Sequence, residues 1–225
     1  MRVQSRISRR YYDLRTLYCL RGRMGMGSLN YPENAIFYEG INEVIVNTER
    51  NAAPMGIIRK NDTLSMIVFR TSHTAEHILK DGWIVIHITH DPILFVKTAF
   101  EDLSDESYIH EICDEIRICR LKECLNWIAC KVHVVNITQE KIFVMVYPFH
   151  TEITPVLPFP VHRGLNNIIE ATVHGTRFIM NRDPKLADLI RYHGSLIVRC
   201  GGSREKKALS LLYNYVNAIV PGSFE

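Results

Sequence analysis

The chain has 225 residues, with 27 Lys plus Arg against 24 Asp plus Glu, 10 His and 47% apolar residues, which excludes a disordered tail and gives a chain that buries roughly 70% of its unfolded surface without needing disulfides. No run approaches the ~20 apolar residues of a bilayer span, since even Trp83 to Ile88 ends at Thr89, His90 and Asp91. The net charge of +3 is uneven: Met1 to Met26 carries seven Arg and one acid and sums to +6, leaving −3 on a body that lacks the positive field nucleic-acid binders use.

Residues 1–36 read as a basic arm. An Arg-rich, acid-poor start fits a nucleic-acid arm, an organellar transit peptide or a solvated tail. Met24 and Met26 directly behind the Arg run fit a further reading, upstream sequence outside the native fold. Arg interrupts every apolar stretch that could serve as a signal-peptide core, so a soluble, cytoplasmic protein with neither nucleic acid nor membrane as partner is expected.

From Glu39 to about Glu101 the text is strand-like. Ile41 to Thr48 alternates and is β-branched, Leu64 to Arg70 is a second run, and Trp83 to Thr89 a third. Turn signals stand at Asn51 to Gly56, which contains Pro54, at Lys60-Asn61-Asp62 and at Asp81-Gly82. Ser72 or Thr74 caps a short helix to about Lys80, and Asp91 with Pro92 opens another through Phe100. After an acidic connection, strands are expected over Leu125 to Val135 and Lys141 to Tyr147, before Pro155, Pro158 and Pro160 break the pattern.

At Arg163 the apolar period changes from two to 3.6. Leu165, Ile168, Ile169, Thr172, Val173, Thr176 and Ile179 share one face of a long helix; a second starts at Asp183-Pro184 with Leu186, Leu189, Ile190, His193, Ile197 and Cys200. Ser203 caps a third carrying Leu209, Leu212, Tyr215, Val216 and Ile219. Strands first and helices last define an α+β fold.

Of the six cysteines, 113, 119, 124 and 130 are separated by six, five and six positions, and no CxxC occurs. One turn cannot present such thiolates as a pair to one ion, so buried reduced thiols are expected, in a reducing compartment. His73-Thr74-Ala75-Glu76-His77 fits the HxxEH pattern of inverted zinc proteases. That chemistry needs a third ligand, for which Glu170 with His174 one turn on is the candidate, and a rigid helix, whereas this one has about two turns. No metal is assigned to it.

The same stretch has a second reading. Arg70, Thr71, Ser72, His73 and Thr74 lie where a strand gives way to a helix, so that free N–H groups, the forked guanidinium, hydroxyls and His77 one turn on can seat a phosphate. The alternative is an N-cap with solvated neighbours. Asn51, Ala52, Ala53, Pro54, Met55 and Gly56 tip the balance, because small residues around a proline let a flat ring approach the main chain.

In order, INEVIVNT, NAAPMG, LSMIVF, RTSHTAEHILKDG and WIVIHIT resemble the flavin-reductase-like split β-barrel proteins that bind FMN. The text is more similar still to the archaeal domain-of-unknown-function family numbered 447, a likeness extended by ITHDPILFVKTAF and RGLNNIIEATVHGTRF and covering about Phe37 to Val220. The resemblance implies an antiparallel split barrel over residues 37–162 followed by a helical subdomain of about three helices over 163–220. It implies that Asn51 to Gly56 line the isoalloxazine, that Arg70 to Thr74 with His77 hold the ribityl phosphate, and that His87 stands at the strand end beside the site. His77 and His87 both occupy places where the related proteins tend to have Asn. It further implies an oxidoreductase with NAD(P)H or another small donor and a homodimer; a non-catalytic flavin or deazaflavin binder is the alternative, and a zinc hydrolase a distant one. Arg163, Asn167, Glu170, His174 and Arg177 form a polar stripe at steps of four, three, four and three, which is either an ion network at a surface or dimer rim or a reach into the flavin pocket with His174 as proton donor.

Overall fold

A computed structural model describes residues 36–154 and 162–224. The basic arm, except for Ile36 at its end, and the Pro155–Pro160 break lie outside the described residues.

Strands β1 (Gly40–Thr48), β2 (Asn51–Lys60), β3 (Thr63–Phe69), β4 (Trp83–His87), β7 (Trp127–Ile137) and β8 (Lys141–Glu152) close an antiparallel barrel in the order β1-β2-β3-β8-β7-β4. Helix α1 (His73–Asp81) separates β3 from β4, and α2 (Pro92–Phe100) follows β4. A hairpin of β5 (Tyr108–Cys113) and β6 (Ile116–Leu121) forms a separate two-stranded sheet. Helices α3 (Arg163–Asn181), α4 (Pro184–Cys200) and α5 (Ser203–Ile219) complete the chain. The architecture is the α+β split barrel expected from the sequence.

Two strands read as continuous apolar runs because both of their faces are covered. Val44 and Val46 of β1 and Ile84 and Ile86 of β4 point into the barrel, where they meet Ile57, Met66, Ile128 and Val144. Ile45 and Val85 point outward beneath the hairpin and α2, among Phe95, Ile118, Cys119 and Leu121.

The sequence places a turn over Asn51 to Gly56, whereas these residues continue as strand β2, paired with β1 from Thr48↔Asn51 to Glu43↔Gly56. Proline is tolerated because β2 joins β3 only from Ile57↔Met66 onward, so Pro54 sits where, among the described residues, the second edge carries no ladder. The turn itself is Glu49-Arg50, with Arg50 at φ 48. The hairpin β5–β6 has no forecast in the sequence. Asp114 and Glu115, at φ 47 and 66, make its two-residue turn, a conformation normally announced by Asn-Gly or Asp-Gly.

The helix caps follow the sequence closely. Ser72 Oγ accepts from Ala75 N at 3.2 Å, Gly82 ends α1 at φ 70, and Asp91 Oδ1 accepts from Ile93 N at 2.9 Å ahead of Pro92. Ser203 is the first residue of α5 rather than its cap; Gly202 holds that place, its N–H donating to Glu205 Oε2 at 2.8 Å. The buried line of α3 runs Gly164, Leu165, Ile168, Ala171, Thr172, Gly175 and Phe178, turned toward the glycines and away from Val173, Thr176 and Ile179. Close packing causes the turn: a Cβ on Gly175 would lie 2.9 Å from Leu212 Cδ1 of α5.

The tightest approach is between main chains, where a Cβ on Gly164 would lie 2.6 Å from Gly201 Cα. Backbone cannot rotate aside, so Gly164→Ala is expected to destabilise by about 1–3 kcal/mol despite alanine's better helix propensity. Thermal unfolding checks this, and an unchanged or raised midpoint would contradict the packing.

Candidate functional site

Helix α1 enters the end of the barrel with Ala75 and Ile78 in the barrel core. The adjoining flank carries Thr74 and His77, three residues apart and thus neighbours on one side. They meet the β1–β2 turn. His77 Nδ1 is 2.8 Å from Thr48 Oγ1, and Asn51 Nδ2 donates to Thr74 Oγ1 at 2.9 Å and lies 3.5 Å from Thr48 Oγ1. Thr48 and Thr74 are each 1% exposed, so these bonds satisfy hydroxyls that water cannot reach.

The Asn51–Gly56 strand and the helix entry, 23 residues apart at Asn51 and Thr74, are thereby brought together. Thr48 completes the group and was missed, because within INEVIVNT it reads as one more β-branched strand residue. Ser72 is committed to the cap, donating to Phe69 O at 2.7 Å, while Thr71 and His73 are exposed at the helix start. Arg70 turns toward the β7–β8 connection, where its Nη1 lies 3.4 Å from Thr138 O. Along β2, Ala52 is buried under the outer cluster and Met55 packs on the barrel core. Gly56 faces outward, where a Cβ would come 2.7 Å from Ile41 Cγ2.

His87 and His174 stand apart from that group. His87 is 0% exposed, and its Nε2 accepts from Leu121 N of β6 at 3.2 Å. Burial, aided by Arg120, lowers its pKa to about 3, so the ring is neutral. His174 stacks on His193 of α4 with centroids 5.5 Å apart, and His193 Nδ1 is 2.8 Å from Asn167 Oδ1. Burial first and His193 second lower the His174 pKa. The pKa of Glu43 of β1 is raised by burial and then by the charge of Glu170, with Arg177 opposing. The HxxEH residues diverge, since His77 is bonded to Thr48 while His73 faces solvent. On the outer face of the barrel, Glu49, His110 and Cys119 form a second group, with His110 Nε2 2.9 Å from Glu49 Oε1.

A six-stranded antiparallel barrel with one helix seated in its end and three helices after it defines the split-barrel class of α+β protein. The chain belongs to the family described as Protein of unknown function (DUF447), whose N-terminal domain matches residues 42–155 and whose C-terminal part matches residues 162–214. The FMN-bound protein MM1853 of Methanosarcina mazei, from the same family, is 34% identical, with a TM-score of 0.74 over 79% of this chain and 96% of that one. The uncharacterized protein MJ1453 of Methanocaldococcus jannaschii is 32% identical over 76 residues, 32% of this chain, and the match spans 39% of that curated relative's length. A flavin reductase domain protein of Arthrobacter sp. FB24 aligns at 14% identity and a TM-score of 0.41, over 56% of this chain and 94% of that one. Among the described residues, no helix is long and apolar enough to cross a membrane.

The neutral His87 has a consequence for acid stability. In the unfolded chain it protonates near its ordinary 6.5, in the folded chain only near 3, so the unfolded state binds more protons between those values. Stability is therefore flat in this residue above ~6.5 and falls below it by up to ~1.4 kcal/mol per pH unit. The lowered His174 adds in the same direction. His87→Gln keeps a carbonyl for Leu121 N–H and removes the titration, so its unfolding free energy is expected to fall less steeply from pH 6 to 4. Equal slopes in denaturant titrations would exclude His87 as the source.

Proposed function

We propose that this chain is an FMN-binding flavoprotein and, within that class, a flavin-dependent oxidoreductase of the flavin-reductase-like kind. One observation carries the reading: the 2.9 Å bond from Asn51 to Thr74 joins the ring-lining strand to the phosphate-binding helix entry in one place. The FMN-bound relative, 34% identical over 79% of the chain, supports the same ligand.

The residues fit the group. Helix geometry leaves the N–H groups of His73 and Thr74 without intrahelical acceptors, Ser72 serves Ala75, and Thr71 stands beside them, a donor set suited to a phosphate dianion that Arg70 would join by turning from Thr138 O. The edge of β2 before Ile57 carries no β3 ladder, and Ala52, Ala53, Pro54 and Gly56 bring little bulk there, so main-chain groups can meet a flat ring. FMN supplies hydride and single-electron transfer when bound; the chain's part is to hold its phosphate, orient its ring and exclude water. His87, buried beneath β6, acts by fixing the hairpin behind the site, and His174 is assigned to the α3–α4 packing. On this reading residues 37–162 are the cofactor domain and 163–220 a helical subdomain. The proposed setting is a cytoplasmic homodimer using a nicotinamide nucleotide or another small donor. Ile67, Phe69 and Tyr147, 44%, 59% and 52% exposed on the outer face of β3 and β8, support self-association.

The test is the absorption spectrum of purified protein with its released cofactor identified by mass. Oxidised flavin absorption and FMN are expected, and Asn51→Ala and Thr74→Val are each expected to weaken FMN binding by about tenfold, one hydrogen bond's worth. Apoprotein that gives no heat with FMN in calorimetry would overturn the reading. Bleaching by NADH or NADPH without other protein identifies a reductase; a bound flavin that stays oxidised identifies a carrier.

A further inference from the structure

The second group of side chains lies outside everything the flavin reading uses. Glu49 comes from the β1–β2 turn, His110 from β5 and Cys119 from β6, and one ligand atom of each lies within 4.8 Å of the others. His110 and Cys119 are direct cross-strand partners, which sets their Cβ atoms about 4.5–5.5 Å apart on one face. Glu49 Oε1 closes the triangle at 2.9 Å from His110 Nε2. Exposure is graded, with side chains 41% exposed for Glu49 and 26% for His110 and Cys119 at 0%. An ion can enter past a carboxylate and an imidazole and settle on an interior sulfur.

The surroundings of that sulfur point the same way. Asn47 Nδ2 donates to Cys119 O at 3.0 Å, tying β1 to the strand that carries the thiol. Among the described residues, Asn47 Oδ1 and the Tyr108 hydroxyl have no hydrogen-bond partner although the two residues are 0% and 8% exposed. Tyr108 is two residues from His110 along β5 and so on the same face of the hairpin as His110 and Cys119. Buried polar groups without a partner are costly, and water held on an ion in this group would offer them one.

We propose that Glu49, His110 and Cys119 bind one divalent transition-metal ion, zinc being the ion whose oxygen, nitrogen and sulfur preferences the set matches. Three protein ligands leave a fourth tetrahedral position for water or a small substrate group. Magnesium and calcium, which take oxygen ligands, are disfavoured by the imidazole and thiolate. Zinc distances of ~2.0–2.3 Å set ligand atoms roughly 3.3–3.7 Å apart, a closure that rotation of the partly exposed Glu49 and His110 supplies. The site does not rest on the flavin reading.

Full-length protein, thiols reduced and metal removed by chelation, is dialysed against Zn²⁺ and titrated with Co²⁺, both flavin-saturated and flavin-free. The expected result, in either form, is one ion per chain with a thiolate-to-cobalt charge-transfer band. Cys119→Ser abolishes the band, His110→Gln and Glu49→Gln weaken Zn²⁺ binding by at least ~10-fold, and Cys113→Ser, outside the group, leaves both unchanged. Absence of stoichiometric binding in both forms, a band that survives Cys119→Ser, or unaltered affinity in His110→Gln and Glu49→Gln overturns the proposal. The last two variants alter partly exposed side chains and decide the matter even where Cys119→Ser does not fold.

Discussion

The seating of α1 in the mouth of the barrel fixes the rest of the site. Ala75 and Ile78, 0% and 2% exposed, are part of the same core as Val44, Val46, Ile84 and Ile86, so the helix can neither rotate nor withdraw without opening that core to water. Once its apolar face is fixed, helical pitch carries Thr74 and His77 to the β1–β2 turn. Burial then makes their hydrogen bonds obligatory, because a hydroxyl 1% exposed has no water to fall back on. Polar contacts between Thr48, Asn51, Thr74 and His77 are thus a consequence of hydrophobic seating, and they position the first turn of α1 beside the open edge of β2.

The outer wall is built on the same logic with a different cover. Hairpin β5–β6 and α2 lie on the outside of β1 and β4, and this is why those strands carry apolar residues at successive positions instead of alternating. Polar groups under the cover are matched to its main chain. His87 Nε2 takes the Leu121 N–H and Asn47 Nδ2 donates to Cys119 O at 3.0 Å. A histidine in this role must be neutral, since protonated Nε2 cannot accept. Cys113 and Cys124 of this region are buried in the same cluster, where thiols serve as small apolar side chains.

How much of this was legible in the sequence depended on whether the signal was local. Caps at Ser72 and Asp91, the Gly82 stop and the alternating strands are written within a few residues, and the structure has them there. The meeting of Asn51 with Thr74 was legible only through the resemblance, because nothing local states which turn a helix will touch. Three features were hidden for identifiable reasons. Pro54 reads as a turn unless the missing ladder on β2 is known; the Asp114-Glu115 turn lacks the glycine that announces such hairpins; and the face of α3 is set by where glycines admit neighbours, which an apolar stripe does not encode. The polar stripe of α3 was visible as a pattern, but its partners, Glu43 for Glu170 and His193 for Asn167 and His174, belong to other elements.

The two groups meet in one turn. Alternation along β1 sends Thr48 toward α1 while Asn47 and Glu49 face the hairpin, and two residues later Asn51 returns to α1. Arg50, at φ 48, is the single joint between these directions, and a non-glycine residue there has little conformational latitude. Both ladders of β1 hold the register up to this point, with Thr48 opposite Asn51 and Asn47 opposite Val85. The residues that meet α1 and the one that meets His110 are thus placed by a single two-residue turn, so the inner and outer faces of this barrel wall share their positioning element.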